Sequence, residues 1–355
     1  MVFTMLKSNP SFLKLKTEQF GFWLLVFVGY CGEVPVSLVR KMNGCYDHNR
    51  RVVTKLVRMG YLKERKFRAE QRHIVRSLSL TEEGLRQIQH LSPNHAAQVR
   101  QHWFGPKNGQ GDLRRTLRLH RGAACLLAAM KLGAVWQPTK VRDAARRKEL
   151  IYYSTYQLNK SCGRDNKSAR ASGILVSDHK YYPVYYLGNR NMRWNKDTEQ
   201  LFRDQFEQSE SGYGLSYGGN IQLGENWELT ERIVRHAVNP RGRLVRFSTK
   251  DLFYYYTLDS QSIVLLRANV DSAYGYRLEH WLNKRCGCPF ISFPDYLFDL
   301  ETVAHLEADN GQHWFFDFQI PVVRDICKGS AQLVSMPGRL LDEFAEGGDG
   351  DGTEP

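Results

Sequence analysis

The sequence predicts an α+β protein: an N-terminal winged helix-turn-helix followed by a mixed α/β C-terminal part. Three observations predict it. Residues 34–90 run as two short helices, a polar-tipped hairpin and a third helix. Basic residues are concentrated in that same stretch. Beyond residue 110, strand-like apolar runs alternate with helical ones, the pattern of a layered α/β unit.

The elements follow in order. Phe20–Cys31 is strongly apolar, but it is about a dozen residues where a membrane-spanning helix needs about twenty. It is therefore expected to be the buried first helix of the module rather than an anchor, and no signal peptide is evident before it. A short helix is expected over Val34 to Met42, then a turn at Asn43-Gly44-Cys45-Tyr46. The second helix is expected to open at Asp47, whose carboxylate can accept from free first-turn amides as an N-cap. On it Val53, Leu56 and Val57 recur at helical spacing and should face the core. Arg51, Thr54, Lys55 and Arg58 recur on the opposite side at i, i+3, i+4 and i+7, next to Arg50. After Gly60, residues 61–68 and 73–80 read as a hairpin around the polar tip 69–72. This is the expected wing. Thr81 should cap a closing helix, with Glu82 and Glu83 favourable in its first turn.

The expected domains are 15–92 (winged helix), 93–111 (linker), 112–235 (helix plus strand hairpin), 236–338 (a C-terminal α/β domain or continuation) and 339–355 (an acidic, Gly-rich tail expected to be disordered). The linker assignment rests on Pro93, Gly105, Pro106, Gly109 and Gly111. A mostly buried helix is expected from Asp112 to Leu132, and a second basic helix from Val141 to Ile151. A strand-turn-strand unit should follow around Asp178-His179-Lys180, then a helix over 197–208. Later strands are expected at 243–247, 253–258, 263–268 and 314–320, with helices at 226–236 and 273–284. Gly212–Gly219 reads as a flexible or bulged hairpin, because no Lys-Ser/Thr ending or strand-to-helix context makes it a phosphate loop.

Charge narrows the function class. Residues 34–90 carry 13 Lys and Arg against 5 Asp and Glu, an excess of 8 within a chain whose formal charge is +13. A basic excess confined to one small module is an electrostatic footprint for a polyanion, since neutralised phosphates release counterions. A helix anchored on one side, with long donors on the other, suits the major groove. The expected contacts to double-stranded DNA are Arg50, Arg51, Thr54, Lys55 and Arg58 from the helix, and Arg65, Lys66, Arg68 and Arg72 from the wing. The basic faces of the helices at 112–132 and 141–151 either extend that footprint or solvate amphipathic helices.

No cofactor or metal is expected. The seven cysteines are scattered, and Cys286-Gly287-Cys288 lacks the second Cys or His pair of a zinc site. Reduced thiols and a cytoplasmic location are expected. The histidines show no ligand spacing. The aromatic run Phe253-Tyr254-Tyr255-Tyr256 could stack bases, but such alternation also builds a strand's core face.

Three stretches carry a family likeness. Ser168-Ala169-Arg170-Ala171-Ser172-Gly173-Ile174-Leu175-Val176 leads through Tyr182-Pro183-Val184-Tyr185-Tyr186-Leu187-Gly188-Asn189 to Asn191-Met192-Arg193-Trp194. With the preceding winged module and basic linker, this order resembles the replication-relaxation family of plasmids and integrative conjugative elements in Gram-positive, clostridial-type hosts. The resemblance covers residues 20–210. It implies a DNA-binding accessory of replication, mobilisation or transcription control, and no defined reaction. The α/β part is expected to mediate dimerisation, giving a homodimer, or to hold a partner such as a relaxase or replication initiator.

Some members of that family resemble restriction endonucleases in their core, so a degenerate core of that type is an alternative for the α/β part. Such a core needs an Asp and then an Asp/Glu-x-Lys on adjacent strands to hold Mg²⁺ and steady the attacked phosphate. The hairpin at 173–187 has Asp178 only in its turn, with Tyr185 and Leu187 where the acid and Lys are wanted. The nearest substitute pair is Asp309 and Asp317. A metal-dependent nuclease is therefore the enzyme alternative. A winged helix that binds a host or element protein is the third reading.

Overall fold

A computed structural model describes residues 16, 19–42, 45–68, 74–102, 113–137, 140–155, 157–158, 173–187, 196–224, 252–258, 297–299 and several positions between 263 and 276. The chain is α+β and divides into two compact units, Met1–Leu119 and His120–Pro355.

In the first unit, α1 (Phe20–Cys31) is apolar on all sides because nearly all of it is buried, Phe22, Leu25 and Val28 completely. It packs against β3, α3 and α4. Gly29 lets α4 come close: a Cβ there would sit 2.6 Å from Val99 Cγ1. The chain continues through β1 (Glu33–Pro35), a 3₁₀ helix (Val36–Lys41), α2 (Tyr46–Arg58), β2 (Leu62–Arg68), β3 (Ile74–Leu80), α3 (Glu82–Leu91) and α4 (Pro93–His102). The three strands form an antiparallel sheet in the order β1-β3-β2, with Val34 opposite Leu78 and Leu62 opposite Leu80. Val34, Leu62, Leu78 and Leu80 are buried on the face that meets the helices. Thr81 caps α3 as expected: its Oγ1 accepts from Gly84 N at 3.0 Å.

Three expectations need correction here. The helix expected over 34–42 is a strand followed by 3₁₀ helix. A residue before proline is pushed out of the α region, so Val34 stays extended and joins the sheet. The α2 N-cap is Cys45, without a side-chain cap bond; Asp47 lies inside the first turn, where its charge still favours the helix terminus. The expected linker begins with α4, whose Ala96 and Val99 are fully buried. Pro93 stands at the first helical position, where a missing N–H costs nothing, and so opens this helix instead of breaking the chain.

The unit boundary falls within α5 (Leu113–Lys131), close to its expected bounds. In the second unit the chain forms α6 (Val141–Arg146), β4 (Ile151–Ser154), β5 (Gly173–Ser177), β6 (Lys180–Tyr186), α7 (Lys196–Glu207), β7 (Ser216–Tyr217), β8 (Asn220–Leu223), β9 (Leu252–Tyr256) and β10 (Leu297–Asp299). The sheet runs β10-β9-β8-β6-β5-β4. β4, β5 and β6 are an antiparallel meander; α7 then carries the chain over so that β8 pairs parallel with β6, and β9 parallel with β8. Asp178 and His179 both have positive φ (49° and 61°), as a two-residue type I′ hairpin turn requires. Phe202 and Phe206 of α7 are buried, Phe206 against Tyr181 and Tyr153. The Tyr181 hydroxyl donates to Glu207 Oε1, and burial raises its pKa well above the usual phenol range.

The second unit changes three expectations. The basic helix expected over 141–151 stops at Arg146; Lys148 takes a positive φ of 59° and Ile151 enters β4, paired with Val176. Gly212–Gly219 does not fold as a hairpin: β7 and β8 both run parallel to β6, and Gly212 and Gly218 lie close against Phe206 and Tyr182. The strand expected at 263–268 is helical at its described positions, 263, 266 and 267. Across 235/236, where a new domain and a continuation are both expected readings, β8 and β9 pair in one sheet. The elements expected at 226–236, 243–247 and 314–320, and the tail 339–355, lie outside the described residues. Among the described residues no helix is long and apolar enough to cross a membrane.

Candidate nucleic-acid interface

Helix α2 has two unlike sides. Val53 and Leu56 are buried and Val57 partly so, which fixes the inward face. Asn49 is buried with them, and its Nδ2 donates to Val39 O at 3.4 Å, tying α2 to the 3₁₀ helix. Arg50, Arg51, Thr54, Lys55 and Arg58 are all exposed. Among the described residues none of these four cations takes part in an ion pair. Thr54 Oγ1 donates back to Arg50 O at 3.0 Å, a local bond that leaves its methyl and lone pairs outward.

The β2–β3 hairpin extends past the core as a two-stranded arm. Side chains alternate across it, so Glu64, Lys66, Arg68, Ile74 and Arg76 continue the face that holds Leu62, Leu78 and Leu80 further in. Lys66 stands opposite Arg76, and Arg68 opposite Ile74. Lys66, Arg68 and Arg76 are exposed. Arg76 grips Glu64 through two bonds, Nε to Oε1 at 2.6 Å and Nη2 to Oε2 at 3.1 Å. The Arg76 guanidinium holds the Glu64 carboxyl below its ordinary range, chiefly through that hydrogen bonding. At the start of α2, Arg40 lies over the Tyr46 ring at 4.9 Å.

One expected wing contact is engaged elsewhere. Arg65 points to the other face of the arm, where its Nη1 donates to Glu33 Oε1 at 2.8 Å, with the two side chains 24% and 12% exposed. Its guanidinium also covers Phe67 at 4.8 Å. Arg72 lies outside the described residues. Sequence reasoning does not single out Arg40, Tyr46 or Arg76. For Arg76 a usable signal exists, the strand register that sets it opposite Lys66. The Arg40–Tyr46 contact spans a turn and leaves none.

No family model, curated protein or solved structure matches this chain.

In the second unit the strands β5 and β6 carry no Asp or Glu at all, and Asp178 in their turn accepts from Ser272 N at 2.8 Å. Among the described residues no group of three His, Cys, Asp or Glu is placed to hold a metal ion. Asp309 and Asp317, and the Cys286-Gly287-Cys288 run, lie outside the described residues. Of the cations on α5 and after α6, Arg118 and Arg146 are exposed, and Arg147 pairs with Glu149 at 3.2 Å.

Proposed function

We propose that residues 20–102 form a winged helix-turn-helix that binds double-stranded DNA. Helix α2 lies in the major groove with Arg50, Arg51, Thr54, Lys55 and Arg58 toward the bases and phosphates. The β2–β3 arm is the wing, and Lys66 and Arg68 meet the flanking backbone. One observation carries this reading: four exposed cations, without ion-pair partners among the described residues, share one side of a helix whose other side is locked into the core. Such a face places long donors at the groove while the anchor holds their register. The order of elements, from helix through strand and short helix to recognition helix and two-stranded arm, agrees with it.

The mixed-sheet unit then serves dimerisation, or holds a protein partner such as a relaxase or replication initiator. The whole acts as an accessory or regulator in replication, mobilisation or transcription of a mobile element, located in the cytoplasm. The test is fluorescence anisotropy of the full chain with random and element-derived duplexes across a salt series. Affinity that falls steeply with salt, and is tighter on element DNA, supports the reading. Absence of affinity at moderate salt overturns it and directs the search to a protein partner.

A further inference from the structure

The arm holds a residue that phosphate binding does not explain. Ile74 is 63% exposed, more than any other isoleucine, leucine or valine among the exposed large hydrophobics. It stands opposite Arg68 in the last described pair of the arm. It lies four positions along the strand from the buried Leu78, about 13 Å away at strand rise. On its face Arg68 stands directly opposite and Lys66 lies one pair further in, both exposed, while Arg76 is paired with Glu64. The apolar pair of the arm's other face, Phe67 and Val75, is half-buried, and Arg65 covers Phe67.

An exposed isoleucine flanked by Lys66 and Arg68 matches a surface that is anionic at its rim and apolar within. The minor groove of DNA has that character: phosphates line its edges, and its floor exposes base edges and stacked steps. Proteins that enter it place Arg or Lys toward the groove and push an aliphatic side chain between base steps. Helix α2 packs against β2 of the arm, so one duplex could meet both elements.

We infer that Ile74 is an apolar wedge of the wing, which enters the minor groove beside the site of α2 and bends the duplex there, with Lys66 and Arg68 on the flanking phosphates. This rests on the DNA-binding reading above. It adds a distinct contact, a deformation of the DNA, and a preference for flexible pyrimidine–purine steps at bases that α2 does not touch.

The experiment uses the full chain with duplexes of about 30 base pairs, labelled at both ends for energy transfer and carrying 2-aminopurine at successive steps. Variants are Ile74→Ala and Ile74→Lys; because Ile74 is exposed, both should keep the wild-type thermal midpoint. The wild type should shorten the end-to-end distance and brighten 2-aminopurine at one step, in a salt-sensitive complex. Ile74→Ala should lose both signals and bind about tenfold more weakly, with an unchanged salt slope. Ile74→Lys should also lose them, despite its added charge. Tighter binding by Ile74→Lys with bending intact would overturn the wedge and leave a simple phosphate clamp. Wild-type binding without bending or unstacking would overturn it too. Failure of the wild type to bind any duplex would instead overturn the DNA reading beneath it.

Discussion

Glu33 and Arg65 form an ion pair at the root of the arm, Oε1 to Nη1 at 2.8 Å, between a strand that the sequence reads as helix and a cation that it reads as a phosphate contact. The other carboxylate oxygen of Glu33 accepts from Ser77 Oγ and Thr116 Oγ1, each at 3.0 Å. Arg65 thereby joins β2 to β1, and Thr116 brings the first turns of α5 onto the same acid. The junction thus ties the root of the arm to β1 and α5 through Glu33, which is distant in sequence.

Loss of the junction should therefore be a stability effect first. Glu33→Ala removes the carboxylate that Arg65, Ser77 and Thr116 share, and should cost about 1–3 kcal/mol in urea unfolding of the full chain. Arg65→Ala should lower stability while DNA affinity, measured well below the unfolding transition, falls less than for Lys66→Ala. A larger affinity loss from Arg65→Ala at equal stability would show that Arg65 leaves Glu33 to reach the phosphate.

Arg51→Ala and Lys55→Ala should weaken DNA binding without unfolding the chain, because both side chains are exposed. If the truncated side chain meets a phosphate, the salt slope should fall by about one. If it meets a base, the change should cost about 1–3 kcal/mol on the preferred site and relax its specificity. Anisotropy across a salt series distinguishes the two. Unchanged affinity in both variants would remove α2 from the interface.

The Glu64–Arg76 pair has a pH signature. Its folded-state carboxyl pKa is depressed, so its contribution is present above the ordinary carboxylate range and is lost as pH falls through the depressed value. Arg76 is half exposed, so solvent screening keeps the effect to about 0.2–1 kcal/mol. Urea midpoints of the wild type and Glu64→Gln should thus differ at neutral pH and converge in acid.

Gly84 tests how closely α3 sits on the sheet. A Cβ there would run into the backbone carbonyl of Tyr61 and lie 2.7 Å from Leu80 Cδ1. Gly84→Ala should cost about 1–3 kcal/mol by overpacking, although alanine is the better helix former. A neutral or stabilising result would mean that α3 can shift away at no cost.

Much of the first unit is legible in local sequence. Val53 and Leu56 recur at helical spacing and are buried; Thr81 is followed by two glutamates and caps α3. In the second unit Asp178-His179 sits between apolar runs and makes the tight turn. Each is decided by residues within a few positions of one another. Sequence reasoning fails where a local signal has a second meaning. Pro93 reads as a breaker but opens α4, and Val34, next to a proline, reads as helix although its partner Leu78 lies on β3.

By itself the sequence determined the amphipathic α2, its basic outer side, the arm and the capped α3, because helix periodicity, strand alternation and capping are short-range properties of the chain. Only the tertiary structure decided that Glu33 pairs with Arg65 and that β8 and β9 join β6 in one sheet. Those outcomes turn on strand pairing between distant segments. Pairing register is set by which faces can be buried together, and no window of neighbouring residues contains that information.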